Sequence, residues 1–509
     1  MHRANVARLE PQAAVETGKN ITVRLKNFGP FDDVDIDLRP LTVFIGKNSV
    51  GKSLLLSLLW ALLSTRPEIP SDEEIREKWS GLYEKAESIS LKITEFIEPV
   101  ASDFGIIKEE VSKLIGSIAT DVRDFTRTSR EVFKSAIKAG LEVRLRQVFG
   151  VSPRELVKVG ETSAQIDIKG RCGNLHISLT DSVAVDRLDM CIDNATEDEF
   201  LSITKPLVIY IASSIYLREE LEKQFTAYDY IIATMMFLTR KIIDEYGVLS
   251  PAISGKFGSV NKQYLIDMSI RGSVYEVFLP GSRACIVHAL PRPETFTAGP
   301  RDRMSVGDRE FIDVYARLID EYRRSRKLTE SANLLLRDMG IELDIAAPGG
   351  NPVVYVKTWS GKRLELAHAP SGIREIITAI FALSFEDFRF VFMEEPEAHL
   401  HPSAQRLLAR TIAEAVNNGK FVALTTHSDY LINEFSNLVA LSNVSKDVRK
   451  KLSYRDAEVL KPEAVAAYLV KAEGNRAVVE RLEVDYTGIP EDEFARVAEE
   501  ILEIRNELY

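Results

Sequence analysis

Two distant groups of residues have the types and spacing to bind a nucleoside triphosphate and cleave it. The first is Gly46-Lys47-Asn48-Ser49-Val50-Gly51-Lys52-Ser53, a G-x-x-x-x-G-K-S phosphate loop. Its glycines let the backbone turn tightly, so that successive N–H groups and a following helix N-terminus face the phosphates. Lys52 would reach the terminal phosphates and Ser53 would offer a hydroxyl to magnesium. The second group is Glu394-Glu395-Pro396-Glu397, which ends the apolar run Phe390-Val391-Phe392-Met393. Paired acids at the end of a buried strand suit such a site, the first holding magnesium and the next activating water. On that pattern Glu394 is the metal ligand and Glu395 the base. Read alone, Glu-Glu-Pro-Glu would equally suit the first turn of a helix.

Two further segments fit the same chemistry. Phe421 to Thr426 reads as a buried strand, and His427 follows it in a polar turn, placed to touch a γ-phosphate or the attacking water. Upstream, Ser371-Gly372 opens an expected helix, a second phosphate-binding geometry or simply a helix cap.

The elements that must hold these groups are legible around them. Leu41 to Ile45 reads as the strand before the loop, and Leu54 to Leu63 as the Leu-rich helix after it. Residues 66 to about 150 read as helical after the Pro67–Pro70 break. Alternating patterns at Ala164–Ile168, Leu175–Leu179 and Val183–Met190 predict a small antiparallel sheet. A helical stretch is expected at 214–246, and strands at Tyr264–Leu279 and Ala284–Leu290. Arg309–Leu336 reads as helices and Leu343–Leu366 as hairpins. After His427 come a helix, strands at Ala464–Leu469 and Ala477–Val484, and a helix over Glu491–Leu508.

These segments resemble an ABC-class P-loop ATPase of the SMC/RecF/OLD-like AAA group, found in DNA repair and phage defence. The resemblance rests on Leu25-Lys26-Asn27-Phe28-Gly29-Pro30-Phe31, the loop as G-x-N-x-x-G-K-S, and Pro370-Ser371-Gly372 as signature. It rests further on Glu394-Glu395-Pro396-Glu397-Ala398-His399-Leu400-His401-Pro402, the most specific stretch, and on Thr426-His427-Ser428 as the switch histidine. It covers roughly the first 65 and last 170 residues. It implies an α/β core with a mixed sheet flanked by helices, interrupted by a mainly helical region with a small antiparallel sheet. Implied too are ATP and Mg2+ as ligands and hydrolysis of ATP to ADP and phosphate. The active form would be a homodimer sandwiching two ATP molecules, with Ser371 and Gly372 reaching the opposite subunit's nucleotide. Two departures stand out: Glu394 replaces the usual Asp, and Pro370 replaces a small or polar residue. No Q-loop glutamine can be assigned.

The expected organisation is residues 1–65 as the first part of the core and 66–160 as a helical insert. Residues 161–340 form a mixed α/β insert, and 341–509 complete the core. The helical insert lacks sustained heptads, so long coiled-coil arms are not expected. OLD nucleases add a TOPRIM domain with a D-x-D cluster. No D-x-D follows His427, so any cutting is expected from a separate nuclease or toxin subunit. A phosphoryl-transferase toxin would need an acceptor site that the sequence does not display. An ATP-binding scaffold with slow or no hydrolysis is the alternative to an ATPase switch.

Composition agrees with a cytoplasmic globular protein. The 509 residues are 45% hydrophobic and 28% charged, with net charge −11. The three cysteines, Cys172, Cys191 and Cys285, form no C-x-x-C pair, which argues against zinc and disulfides. His399 and His401 are read as framing a turn, not as a metal pair, with Pro402 opening a helix. No secretory signal is expected, and the apolar runs Leu207–Tyr216 and Tyr230–Leu238 are too short to span a membrane. Arg123, Arg127, Arg130, Lys134 and Lys138 recur at spacings of three and four, one helix face. Arg144 and Arg146 continue the run, and Arg323–Lys327 and Arg449–Lys451 are further clusters. Such a face is either solvated or a track for double-stranded DNA, locally, given the negative net charge.

Overall fold

The computed structural model describes residues 21–65, 130–170, 173–190, 276–291, 304–347 and 352–508, single positions excepted, and scattered helical positions between 73 and 124. Strands β1 (Ile21–Phe28), β2 (Phe31–Leu38) and β3 (Leu41–Gly46) lead into helix α1 (Lys52–Ser64). Strands β4 (Ala164–Gly170), β5 (Gly173–Leu179) and β6 (Val183–Met190) follow a helix over residues 134–149. Next come β7 (Glu276–Leu279), α2 (Arg283–Ala289), α3 (Val306–Ser325) and α4 (Glu330–Asp338). Strands β8 (Glu342–Ala346), β9 (Val353–Lys357) and β10 (Arg363–Glu365) form a small antiparallel sheet of their own. The chain continues through α5 (Ser371–Ser384), β11 (Phe390–Glu394), α6 (Pro402–Asn417), β12 (Phe421–Thr426) and α7 (Asp429–Ala440). It ends its described course in α8 (Lys446–Lys451), β13 (Val465–Glu473), β14 (Arg476–Leu482) and α9 (Asp492–Leu508).

Among the described residues the main sheet has eleven strands in the order β6-β5-β4-β1-β2-β14-β13-β3-β12-β11-β7. Strands β13, β3, β12, β11 and β7 run parallel to one another, with β14 antiparallel to β13, whereas β1, β2, β4, β5 and β6 form an antiparallel meander. Side-chain alternation explains the difference. In the parallel part both faces are buried: Phe44, Phe392, Ala423 and Tyr468 point to one core, while Val43, Met393, Leu424 and Ala467 point to another. In the meander only one face is apolar. On β2, Val34, Ile36 and Leu38 are buried, and Asp33, Asp35 and Asp37 line the opposite, open side.

Helix α1 and the 134–149 helix cover the first face, and Trp60 stacks on Phe278 with centroids 4.5 Å apart. Helices α3 to α7 supply the second core. The strands read at 164–190 are present, but they extend the main sheet by pairing with β1 instead of standing apart. Ala284–Leu290, read as a strand, is helix α2. A seven-residue apolar run cannot decide between the two by periodicity, and here Arg283, Ala284, Ile286 and Val287, two pairs each three residues apart, are buried on one side of a helix. The helices at 309–336 and the hairpins at 343–366 form where the pattern placed them. The elements expected at 207–246 and 264–275 lie outside the described residues. Among the described residues no helix is long and apolar enough to cross a membrane.

Lys420, immediately before β12, is buried and donates from Nζ to the carbonyls of Phe385 and Phe388. Burial pulls its pKa down to about 7, with Asp387 and Glu386 opposing that shift and Arg389 adding to it. Between pH 7 and 10.5 the unfolded chain therefore holds a proton that the folded chain has released, so stability rises with pH across that window. Urea unfolding of wild type and Lys420→Met is expected to show this extra rise, on the order of a few kcal/mol, only in wild type. Parallel pH profiles would refute it.

Candidate nucleotide site

The site is built where the parallel strands end. Strand β3 delivers the phosphate loop, β11 delivers Glu394 and Glu395, and β12, lying between them, delivers His427. Ends of parallel strands are where open α/β sheets bind ligands, because loops of several strands converge there.

The loop backbone is left-handed at three points: Gly46 (φ 143), Ser49 (φ 63) and Gly51 (φ 103). Gly46 also has no room for a side chain, since a Cβ would lie 2.2 Å from the Val470 carbonyl oxygen on β13. A Cβ on Gly51 would meet the Phe31 ring at 2.8 Å, so the start of β2 packs directly against the loop. Helix α1 starts with no side-chain cap on its first turn. Lys47, Asn48, Ser49 and Ser53 are exposed, and Val50 is buried. The Lys52 side chain is buried, and its Nζ donates across the loop to the carbonyls of Gly46 (2.9 Å) and Lys47 (2.7 Å). Burial lowers the Lys52 pKa, and the nearby charges of Glu395 and Glu397 counter it.

Glu395 and His427 meet across the strand ends, with Nε2 3.5 Å from the carboxylate. Glu395 sits at φ 41, an unusual conformation for a side-chain-bearing residue, held by its N–H to the Thr425 carbonyl at 3.1 Å. The His427 pKa is lowered by burial and then by Lys52, with Glu395 opposing, so the ring is neutral at pH 7. The Glu394 carboxylate receives the Gly281 N–H at 3.0 Å.

Three residues of this site escaped the sequence reading. Glu397 Oε1 accepts from Thr426 Oγ1 (2.7 Å) and from the His427 N–H (2.8 Å), fixing the histidine turn from below. Burial pushes its carboxyl pKa up. Arg283 on α2 is fully buried; its guanidinium donates to the Glu394 carbonyl at 2.9 Å and pairs with Glu375 of α5 at 2.6 Å. Burial lowers the pKa of this arginine and raises that of the equally buried Glu375, each countered by the other's charge. The repeated acids of Glu394–Glu397 gave a signal for Glu397. Nothing marked Arg283, which stands just before the run read as strand.

Ser371 and Gly372 form the first turn of α5 after Pro370, as a helix start predicts. They pack on the turn after the acid strand: a Cβ on Gly372 would lie 2.6 Å from the His399 carbonyl oxygen. Among the described residues no hydrogen bond joins them to the phosphate loop. His399 lies at φ 59, and His401 caps α6, accepting the Ser403 N–H at 3.3 Å before Pro402.

The basic run changes character in three dimensions. Arg123 and Arg127 lie outside the described residues, as do Cys172 and Cys191. Arg144 turns inward, bonding Ser64 (2.9 Å) and Glu310 and covering the Trp60 ring at 4.3 Å. It therefore does not continue an outward face; the short aromatic and acidic partners around it outcompete solvent. Arg146 pairs with Glu142 at 3.2 Å and Lys134 with Glu131 at 3.4 Å, leaving Lys138 exposed on the same helix. Arg323 and Arg324 pair with Asp320, and Arg449 with Asp456.

No curated protein matches the chain. Among solved structures, an SMC head bound to the C-terminal winged-helix domain of ScpA is 11% identical, with TM-score 0.39 over 91% of this chain and 97% of that one. The SMC head domain of Thermotoga maritima is 9% identical, with TM-score 0.35 over 92% and 99%. An SMC head with an extended coiled coil, bound to a ScpA domain from Pyrococcus furiosus, is 11% identical, with TM-score 0.36 over 96% and 100%. The family model for an AAA ATPase domain matches residues 21–168 and 308–432, together more than half of the chain and both halves of the site. The chain belongs to the AAA ATPase domain family.

Proposed function

We propose that the chain hydrolyses ATP in a nucleotide-sandwich homodimer and uses the cycle as a switch, in DNA maintenance or antiviral defence, through a separate effector. The observation that carries this reading is the convergence of Lys52, Glu394, Glu395 and His427 at the ends of adjacent parallel strands. Gly46 to Ser53 would cradle the phosphates, with Lys52 turning from its loop carbonyls to the terminal phosphate. The Ser53 hydroxyl and the Glu394 carboxylate are hard oxygen donors of the kind Mg2+ takes. Bound there, the ion would neutralise charge on the β- and γ-phosphates. Glu395 takes the proton of the attacking water, and neutral His427 orients that water or the γ-phosphate. Ser371 and Gly372 would complete the second subunit's site. Lys138, with Arg130 and Lys134, provides local cations for double-stranded DNA.

The test is ATP turnover against protein concentration, with and without double-stranded DNA. A rate per subunit that rises with concentration, and rises again with DNA, is the expected result. A flat, near-zero rate in protein that still binds ATP would replace the switch with an ATP-binding scaffold for a toxin or nuclease.

A further inference from the structure

Helix α9 presents an apolar stripe that nothing in the nucleotide chemistry uses. Val497, Ile501, Ile504 and Leu508 are 46%, 60%, 60% and 74% exposed. Their spacing of four, three and four residues is the a/d seam of a left-handed coiled coil, and in the sequence Phe494 precedes the series by three. Isolated surface leucines need no explanation, but a seam kept in register from Val497 to Leu508 does.

The charges beside the seam select the partner. With Ile501 and Leu508 at a and Val497 and Ile504 at d, Glu493, Glu500 and Glu507 fall at g, and Ala498 and Arg505 at e. In a parallel pair of identical helices, g of one faces the following e of the other, so Glu500 meets Arg505 twice across the seam. An antiparallel pair would oppose glutamate to glutamate at g. The pattern is therefore self-complementary in the parallel sense, which names a second copy of this chain as the occupant.

Size sets the condition under which the contact forms. A 17-residue helix buries on the order of several hundred Å2 in such a seam, short of the roughly 1,200 Å2 that stable specific interfaces need. Helices of this length are also marginal alone. The contact must be added to a larger one. We infer that α9 is a parallel coiled-coil clasp between two copies of the chain, closing when ATP has joined their cores. The inference rests on the sandwich dimer proposed above.

The test uses full-length Glu395→Gln protein with a cysteine introduced by Ile504→Cys, treated with a short bismaleimide; the same protein without that cysteine is the control. At a d position each residue faces its own copy in a parallel pair, so crosslinked dimer should form with Mg-ATP and not without it. Adding Arg505→Glu should lower the yield about five- to tenfold by placing like charges at both contacts across the seam. Adding Glu500→Arg to that variant should restore it. A dimer seen by light scattering with ATP, but with no Ile504→Cys crosslink, would remove the clasp and leave the sandwich standing. A monomer with ATP would sink the sandwich, and the clasp with it.

Discussion

Glu395→Gln is expected to lower kcat by roughly 10²- to 10⁴-fold, about 3–5 kcal/mol of barrier, while ATP affinity changes little. The substitution keeps the size and shape of the side chain but removes its ability to accept a proton. It leaves untouched the N–H bond to Thr425 that holds the backbone at positive φ, and the amide can still reach His427. Lys52 and the loop are unchanged, so binding persists and the ATP-bound dimer accumulates. Single-turnover hydrolysis, ATP binding and light scattering separate these effects. Turnover like wild type would show that Glu395 is not the base.

The parts of this site that the sequence revealed are those whose chemistry is local. A phosphate loop needs glycine at fixed spacing because Gly46 and Gly51 sit in left-handed backbone against Val470 and Phe31, and that demand is written in eight consecutive residues. The acid strand is legible for the same reason, since Phe390 to Met393 are apolar on both faces and the charge begins where the strand ends. What was illegible depends on distant partners. Residues 164–190 read as a separate sheet because alternation gives strand type but not the neighbour, and only pairing with β1 joins them to the core. Arg144 read as part of a cationic face because its attraction to Trp60 and Glu310 requires knowing that α1 and α3 lie beside it. Arg283 was hidden because its partner, Glu375, looked like an ordinary acid near a helix start, and because the helix that carries it was read as a strand beginning one residue later.

That hidden pair supports the second large effect. Arg283 holds the Glu394 carbonyl at 2.9 Å and lies 3.5 Å from that of Glu395, the two residues whose carboxylates are proposed above to hold magnesium and take the proton. Its partner Glu375 lies on the helix that begins with Ser371, and Glu375 Oε1 is 3.9 Å from His399 Nδ1 in the turn touching Gly372. One buried ion pair thus joins the acid strand to the signature helix. Arg283→Met should cost about 3–5 kcal/mol of stability, because it strands Glu375 as an unpaired buried charge. Adding Glu375→Leu removes that charge, and an apolar pair of similar volume is often neutral, so stability should largely return. Turnover should not return. The Glu394 and Glu395 carbonyls still lack their donor, so the carboxylates lose their fixed aim, and a small misplacement of catalytic groups can cost about 10²-fold. The expected signature is a double variant with near-normal urea unfolding and ATP binding but strongly reduced kcat. If kcat recovers along with stability, Arg283 is only a core ion pair. If it stays low while the fold is restored, Arg283 is a positioning residue through which the signature helix can bear on the acids.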